Sequence, residues 1–223
     1  LRKFLAPFWA ALTYDATKAP NGCVWVRQIL WALLWLKEFF SKSQWSIVRA
    51  FEYETYFAPE VDIEVTTGAS PYRIGAWITV SDVIKDLFAE LISETDEEVF
   101  NAKQGSRESQ QAFESIVLLL ALRIWRPHFA RKRAVLRVRS DNVGALTVVS
   151  SLKGSGEALG LVASELALDL GKCEYMPRAA VHLPGVANGT ADLLLRKFDP
   201  SKQQWSVPPL LAHIKPTLIP LRL

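Results

Sequence analysis

Three acidic residues fall in three different elements of this chain: Glu114, Asp141 and Asp192. Carboxylates gathered from separate elements repel one another unless cations neutralise them, and hard oxygen ligands suit magnesium or manganese. Two such ions ~3.5–4 Å apart can activate a water and stabilise the leaving oxygen of a phosphodiester. Each residue also has a plainer reading. Glu114, among the apolar residues of its helix, is expected at the edge of that face, reaching water. Asp141 could simply cap the helix behind it. Asn188-x-x-Ala-Asp192 is a pattern short enough for chance to supply.

The elements that would position these residues follow from pattern. Val135, Arg137 and Arg139 alternate with Leu136 and Val138 as a strand with one packed face, ending at Ser140-Asp141-Asn142. A carboxylate at the C-terminal end of a strand sits where open α/β sheets bind ligands. Gln110 to Trp125 reads as a helix ended by Pro127, with Phe113, Ile116, Val117, Leu120 and Ile124 on its apolar side. Upstream, Val61, Ile63 and Val65 alternate as a strand. Gly68 to Pro71 reads as a bend, Ile74 to Val80 returns, and Ile84 to Leu91 is a third short strand. The acidic stretch from Glu94 to Glu98 reads as loop with some helix. Helices are expected over 143–152 and 157–170, a last strand over 179–183, and a short helix opening at Asn188. The fold class is therefore α/β with a mixed sheet.

Composition sets the wider bounds. The chain has 223 residues, is 50% hydrophobic and carries a net charge of +3, enough for one substantial core plus an appendage. Positive charge is concentrated in Arg123, Arg126, Arg131, Lys132, Arg133, Arg137 and Arg139, which could face phosphates or form a solvated basic loop. Cys23 and Cys173 have no metal-ligand spacing and form no disulfide framework, which fits a reducing compartment. The apolar runs Ile29–Leu36 and Ile116–Leu122 fall short of the ~20 residues a spanning helix requires. No signal-peptide layout opens the chain. A soluble protein in the cytoplasm or nucleus, with no membrane partner, is expected. The only methionine is Met176, which suggests a piece of a longer polypeptide.

Residues 1 to 58 are rich in tryptophan and read as helical. From Val24 to Phe40 the pattern is apolar on most of its surface, so this helix is expected to pack against something. Pro59 marks the next boundary. From Pro200 onward, five prolines and no clear period describe an extended tail.

The ordered set Thr67-Gly-Ala-Ser-Pro71, Glu114 within Phe113–Trp125, Ser140-Asp-Asn142 and His182-Leu-Pro-Gly-Val-Ala-Asn-Gly-Thr-Ala-Asp192 resembles the ribonuclease H domain of retrotransposon reverse transcriptases. The resemblance covers about residues 60 to 199. Residues 1–58 look like the connection segment that precedes this domain, and 200–223 follow as the tail. It implies a ribonuclease H-like mixed five-stranded sheet with flanking helices. It also implies a two-ion magnesium or manganese site, and hydrolysis of the RNA strand of an RNA–DNA hybrid, with an upstream reverse transcriptase domain in the same polyprotein. Glu114, Asp141 and Asp192 take the places of three metal-binding carboxylates. His182 takes that of an auxiliary histidine, although a strand-end histidine is more often simply hydrogen-bonded. Ser70, Asn142, Arg131, Lys132 and Arg133 are the expected nucleic-acid contacts.

One position departs from the family. The first carboxylate, which bridges both ions there, should stand where this chain has Gly68, and Tyr72-Arg73 replaces the usual Trp-Gly. Glu64 lies ~13 Å back along the strand, too far to substitute. Thr66 and Thr67 are neutral. The implied two-ion site is therefore incomplete and catalysis impaired. The alternatives are a non-catalytic nucleic-acid-binding or structural module of the reverse transcriptase, and a connection domain serving only protein packing.

Overall fold

The computed structural model describes residues 2–12, 19–20, 22–41, 53–106, 109–130, 132–154, 157–172, 177–184, 189–195, 208–217 and 219. The chain divides into two compact units, Leu1–Ala50 and Phe51–Leu223.

In the first unit, α1 (Arg2–Leu12) packs against α2 (Val26–Ser41). Within the described part of the tryptophan-rich segment, residues 2–12 and 26–41 are helical, as their pattern requires. Of the described residues in this unit, Ala11 and Ala32 are buried, while Trp9, Trp31 and Phe40 stay exposed. Among the described residues α1 is the helix that packs on it, and 11 residues cover only one stripe of a helix that is apolar nearly all round. No helix among the described residues is long and apolar enough to cross a membrane.

The second unit opens with a short helix, α3 (Tyr53–Phe57), and then builds the sheet from β1 (Val61–Ala69), β2 (Arg73–Val80), β3 (Val83–Leu91), β4 (Ala134–Ser140) and β5 (Pro177–His182). The strand order is β3-β2-β1-β4-β5. The first three strands are antiparallel neighbours, and β4 runs parallel to both β1 and β5. The helices are α4 (Glu94–Phe100), α5 (Gln110–Ile124), α6 (Arg126–Phe129), α7 (Val143–Ser151), α8 (Glu157–Lys172) and α9 (Gly189–Leu195).

Alternation along β1 sorts its residues onto two faces. Ile63, Val65, Thr67 and Ala69 point to the side of α5, and Asp62, Glu64, Thr66 and Gly68 to the side of α9. Helix α5 is buried on all sides from Ala112 to Leu122, because the sheet lies against it on one side and α7 and α8 on the other. That explains the side-to-side apolar sequence of this helix. On the opposite face, α9 lies against β1 and β2. It can approach because Gly75 has no side chain: a Cβ there would meet the methyl carbons of Leu195 at 3.2 Å and Leu194 at 3.3 Å. Gly75 is the cross-strand partner of Gly68.

Three local expectations are corrected. Gly68 does not begin a bend: β1 continues to Ala69, and the reversal is the pair Pro71-Tyr72, closed by the Ser70 amide donating to the Arg73 carbonyl at 2.7 Å. Pro127 does not terminate the long helix. That helix ends at Ile124, and Pro127 lies in the first turn of α6, where a missing N–H costs nothing. The acidic stretch forms the full helix α4, because Ser93 and Asp96 build a capping box at its start.

Part of the proline-rich segment, read as an extended tail, packs onto the sheet. Pro209–Leu211 form a 3-10 turn, and Leu211 is buried with Leu87 and Leu194. The Thr217 amide donates to the Leu87 carbonyl at 2.8 Å, on the edge strand β3. Beside it, the Asp86 carboxylate accepts from the Thr217 hydroxyl at 2.8 Å and from the indole N–H of buried Trp125 at 2.9 Å. Asp86→Ala leaves that indole N–H buried without a partner. It is expected to lower stability by about 2 kcal/mol, whereas Thr217→Val costs about 1 kcal/mol or less. Urea unfolding of both variants checks the ranking, and equal losses would contradict it.

Candidate metal centre

The site begins where one strand ladder stops. Strands β1 and β4 pair in parallel as far as Thr66 and Arg139. Beyond that point the Ala69 amide donates to Glu114 Oε1 at 2.8 Å instead of to a neighbouring strand. The sheet also changes direction of connection here: β1 leads away to β2 on one side, and β4 leads through α7 and α8 to β5 on the other. Such a switch point, at the carboxyl ends of parallel strands, leaves a crevice for ligands.

Glu114 lies at that switch point, under the Ala69 amide. Its residue is only 2% exposed, so the expectation that it would reach water from the edge of an apolar face is overturned. The reason is that α5 has no wet edge. Glu114 Oε2 is buried without a hydrogen-bond partner. Burial, and then the negative charge of Asp141, push the Glu114 carboxyl up to about 8; the Ala69 amide and the Ser140 hydroxyl hold it back only in part.

Asp141 follows β4 directly and is exposed. It does not cap the helix behind it. Asn142 does, its Oδ1 accepting from the Ala145 amide at 3.0 Å. Ser140, completely buried, accepts from the Asn142 amide at 3.1 Å and holds this corner. The division of labour leaves the Asp141 carboxylate outside the cap. Its backbone carbonyl lies 3.1 Å from His182 Nε2 at the end of β5. A carbonyl only accepts, so Nε2 carries the hydrogen. His182 therefore ties the ends of two strands together, the plainer of its two expected roles.

Asp192 is carried by α9, which packs on β1 and β2, the strands of the Gly68–Gly75 pair. Its side chain lies outside the described residues. Among the described residues no set of three or more His, Cys, Asp and Glu side chains gathers closely enough to hold an ion. Gly68 is buried on the α9 face of β1 and offers no side-chain oxygen. Glu64, on the same face, is held by Arg139 at 2.9 Å, and burial raises its carboxyl more than Arg139 lowers it.

The expected nucleic-acid contacts have mostly local duties. Ser70 Oγ accepts from the amides of Arg73 at 3.0 Å and Tyr72 at 3.3 Å, closing the β1–β2 turn. Asn142 is the helix cap. Lys132 is exposed; Arg133 lies 3.6 Å from Glu60; Arg131 lies outside the described residues. Arg137 bonds Asp62 at 2.5 Å, and Arg123 is held by Glu165 and by Asp169 at 2.6 Å. Of the described basic residues in this interval, Arg123, Arg133, Arg137 and Arg139 lie beside carboxylates of the same domain, while Arg126 and Lys132 are exposed.

Two contributors were not singled out from the sequence. Ser140 could have been, since the inward alternation Leu136, Val138 continues onto it. The Ala69 amide could not, because only the end of the ladder frees it.

No family model matches the chain, and no curated protein matches it. Among solved structures, the chain is similar to ribonuclease H1 from the halophilic archaeon Halobacterium salinarum NRC-1, with 14% identity and a TM-score of 0.45 over 64% of this chain and 100% of that one. It is also similar to LC11-RNase H1, isolated from compost by a metagenomic approach, with 19% identity and a TM-score of 0.41 over 60% of this chain and 91% of that one. The fold class is the expected one, α/β with a mixed five-stranded sheet and flanking helices.

The raised carboxyl of Glu114 has a consequence for stability. The folded chain keeps a proton that the unfolded chain releases near the ordinary value of 4.5, so without metal, stability falls as pH rises from 4.5 to about 8. Glu114→Gln cannot ionise and escapes this loss. In EDTA at pH 8 it is expected to be more stable than the unaltered chain by on the order of 3 kcal/mol, with the gap closing toward pH 4.5. Urea unfolding across that range tests it, and a gap independent of pH would contradict it.

Proposed function

We propose that residues 60–199 are a ribonuclease H-like domain of a retroelement reverse transcriptase, ancestrally an endonuclease that cuts the RNA strand of RNA–DNA hybrids, and that Gly68 impairs this activity. The observation that carries the reading is the buried Glu114 carboxylate at the β1–β4 switch point, with one oxygen unpartnered and the charge of Asp141 acting on it.

A donor set of this kind suits a hard divalent cation. Glu114 and Asp141 would hold magnesium or manganese, with Asp192 as the third carboxylate supplied from α9. A bound divalent ion supplies activation of water and neutralisation of charge on the phosphodiester. The chain's own residues do the positioning. The Ala69 amide and the Ser140 hydroxyl orient Glu114, the Asn142 cap leaves Asp141 available, and His182 fixes the Asp141 backbone. Gly68 contributes no oxygen, so the complete two-ion arrangement lacks its bridging ligand.

The alternative is a non-catalytic module that still binds nucleic acid. The pairing of Arg123, Arg137 and Arg139 with carboxylates speaks against a large phosphate-binding surface, and leaves Lys132 and the exposed Arg126 as the described candidates for such contacts.

Cleavage of a labelled RNA–DNA hybrid in magnesium or manganese distinguishes the readings. Gly68→Asp is expected to cut the RNA strand at least about 100-fold faster than the chain as it stands. In that background, Asp141→Asn is expected to abolish the gain. If the chain with Gly68 already cuts as fast as the aspartate variant, impairment by Gly68 is wrong. If Gly68→Asp leaves cleavage absent, the nuclease ancestry loses its support.

A further inference from the structure

The α9 face of the sheet holds a charge that the site described so far does not use. Alternation along β2 places Arg73 on the same face as Gly75 and Trp77, and Gly75 stands directly across from Gly68. Arg73 is therefore one same-face step from the glycine pair at the end of the β1–β2 hairpin. It is only 4% exposed, an unusual state for an arginine. Its backbone is fixed on both sides: its amide donates to Ser70 Oγ at 3.0 Å, and its carbonyl accepts from the Ser70 amide at 2.7 Å.

A buried guanidinium needs negative charge nearby. Glu90 on β3 is one source, acting on Arg73 through its charge. The helix covering this face, α9, carries a single acid in its sequence, Asp192. The negative charge acting on Glu114 is that of Asp141, on the other side of the switch point. The two sides of the crevice thus differ. One has carboxylates without a resident cation among the described residues, and the other has a resident cation beside a position without a carboxylate.

We propose that Arg73 is a built-in cation that stands in for part of the divalent charge on the α9 side of the site, and that it weakens divalent-ion binding there. The missing side chain at Gly68 and the buried charge at Arg73 then belong together. Removal of an anion and placement of a fixed cation on one small patch of sheet both reduce the negative potential that a divalent ion requires. Glycine at 68 also leaves that patch unobstructed beside a long side chain. The inference rests on the cation-site reading above and goes beyond it by naming what opposes the ion.

Manganese binding measured by titration calorimetry on the full chain tests this without any turnover. Arg73→Met keeps an unbranched apolar stem and removes the charge, whereas Arg73→Lys keeps the charge. Arg73→Met is expected to bind manganese about tenfold or more tightly than the unaltered chain, with Arg73→Lys close to the unaltered value. The same gain should separate Gly68→Asp from Gly68→Asp with Arg73→Met. Should the methionine variant fail to fold by circular dichroism, Arg73→Gln carries the same comparison. Equal affinity across the neutral and charged variants overturns the proposal, as does weaker binding in a folded neutral variant. If Gly68→Asp alone already binds as tightly as its double variant, only the role of Arg73 falls. If no variant binds manganese at all, the cation-site reading falls and this proposal with it.

Discussion

The second unit depends on one buried hydrogen bond, from the Ala69 amide to Glu114. Strand β1 must separate from β4 after Thr66 for a crevice to exist, and each separated amide then needs a new acceptor. Glu114 provides one from the helix beneath. The cost is a carboxylate enclosed by apolar residues of α5 and the sheet, with one oxygen left over. A domain selected for stability alone would place an amide or a serine there. A carboxylate retained in such surroundings is the kind of local inconsistency that marks functional sites.

The rest of the site follows from how local hydrogen bonds are divided. Asn142 takes the cap of α7, Ser140 takes the Asn142 amide, and His182 meets the Asp141 carbonyl. Each assignment relieves the Asp141 carboxylate of a structural duty. On the opposite face Gly75, across from Gly68, lets α9 close on the sheet, so the helix that carries Asp192 lies over β1 and β2.

Much of this was legible in the sequence for a physical reason. Strand alternation and the long apolar run of α5 are strong periodic signals, and they gave the mixed sheet and the order of its elements. The pairing of a carboxylate with the end of β4 was legible as well. What failed was information carried by tertiary contact. Glu114 looked like an edge residue because one helix read alone cannot show that it is covered on every side. The extent of β1 was misread because Gly68 and Pro71 are turn formers, yet the antiparallel ladder with β2 runs through the glycine. The basic interval left a phosphate-facing patch and a solvated loop both open because Asp62, Glu64, Glu165 and Asp169, which pair with Arg137, Arg139 and Arg123, are distant in sequence. The packing of Leu211 against Leu87 and Leu194 has no local periodic signal at all.

On the function proposed above, Glu114 and Asp141 form the remaining half of a two-ion centre. Crystals of the chain soaked in manganese and measured at the manganese absorption edge test it most directly. The account predicts one anomalous peak coordinated by Glu114 and Asp141, and no second ion beside Gly68. No peak at these carboxylates, or two ions bound in the presence of Gly68, would contradict it.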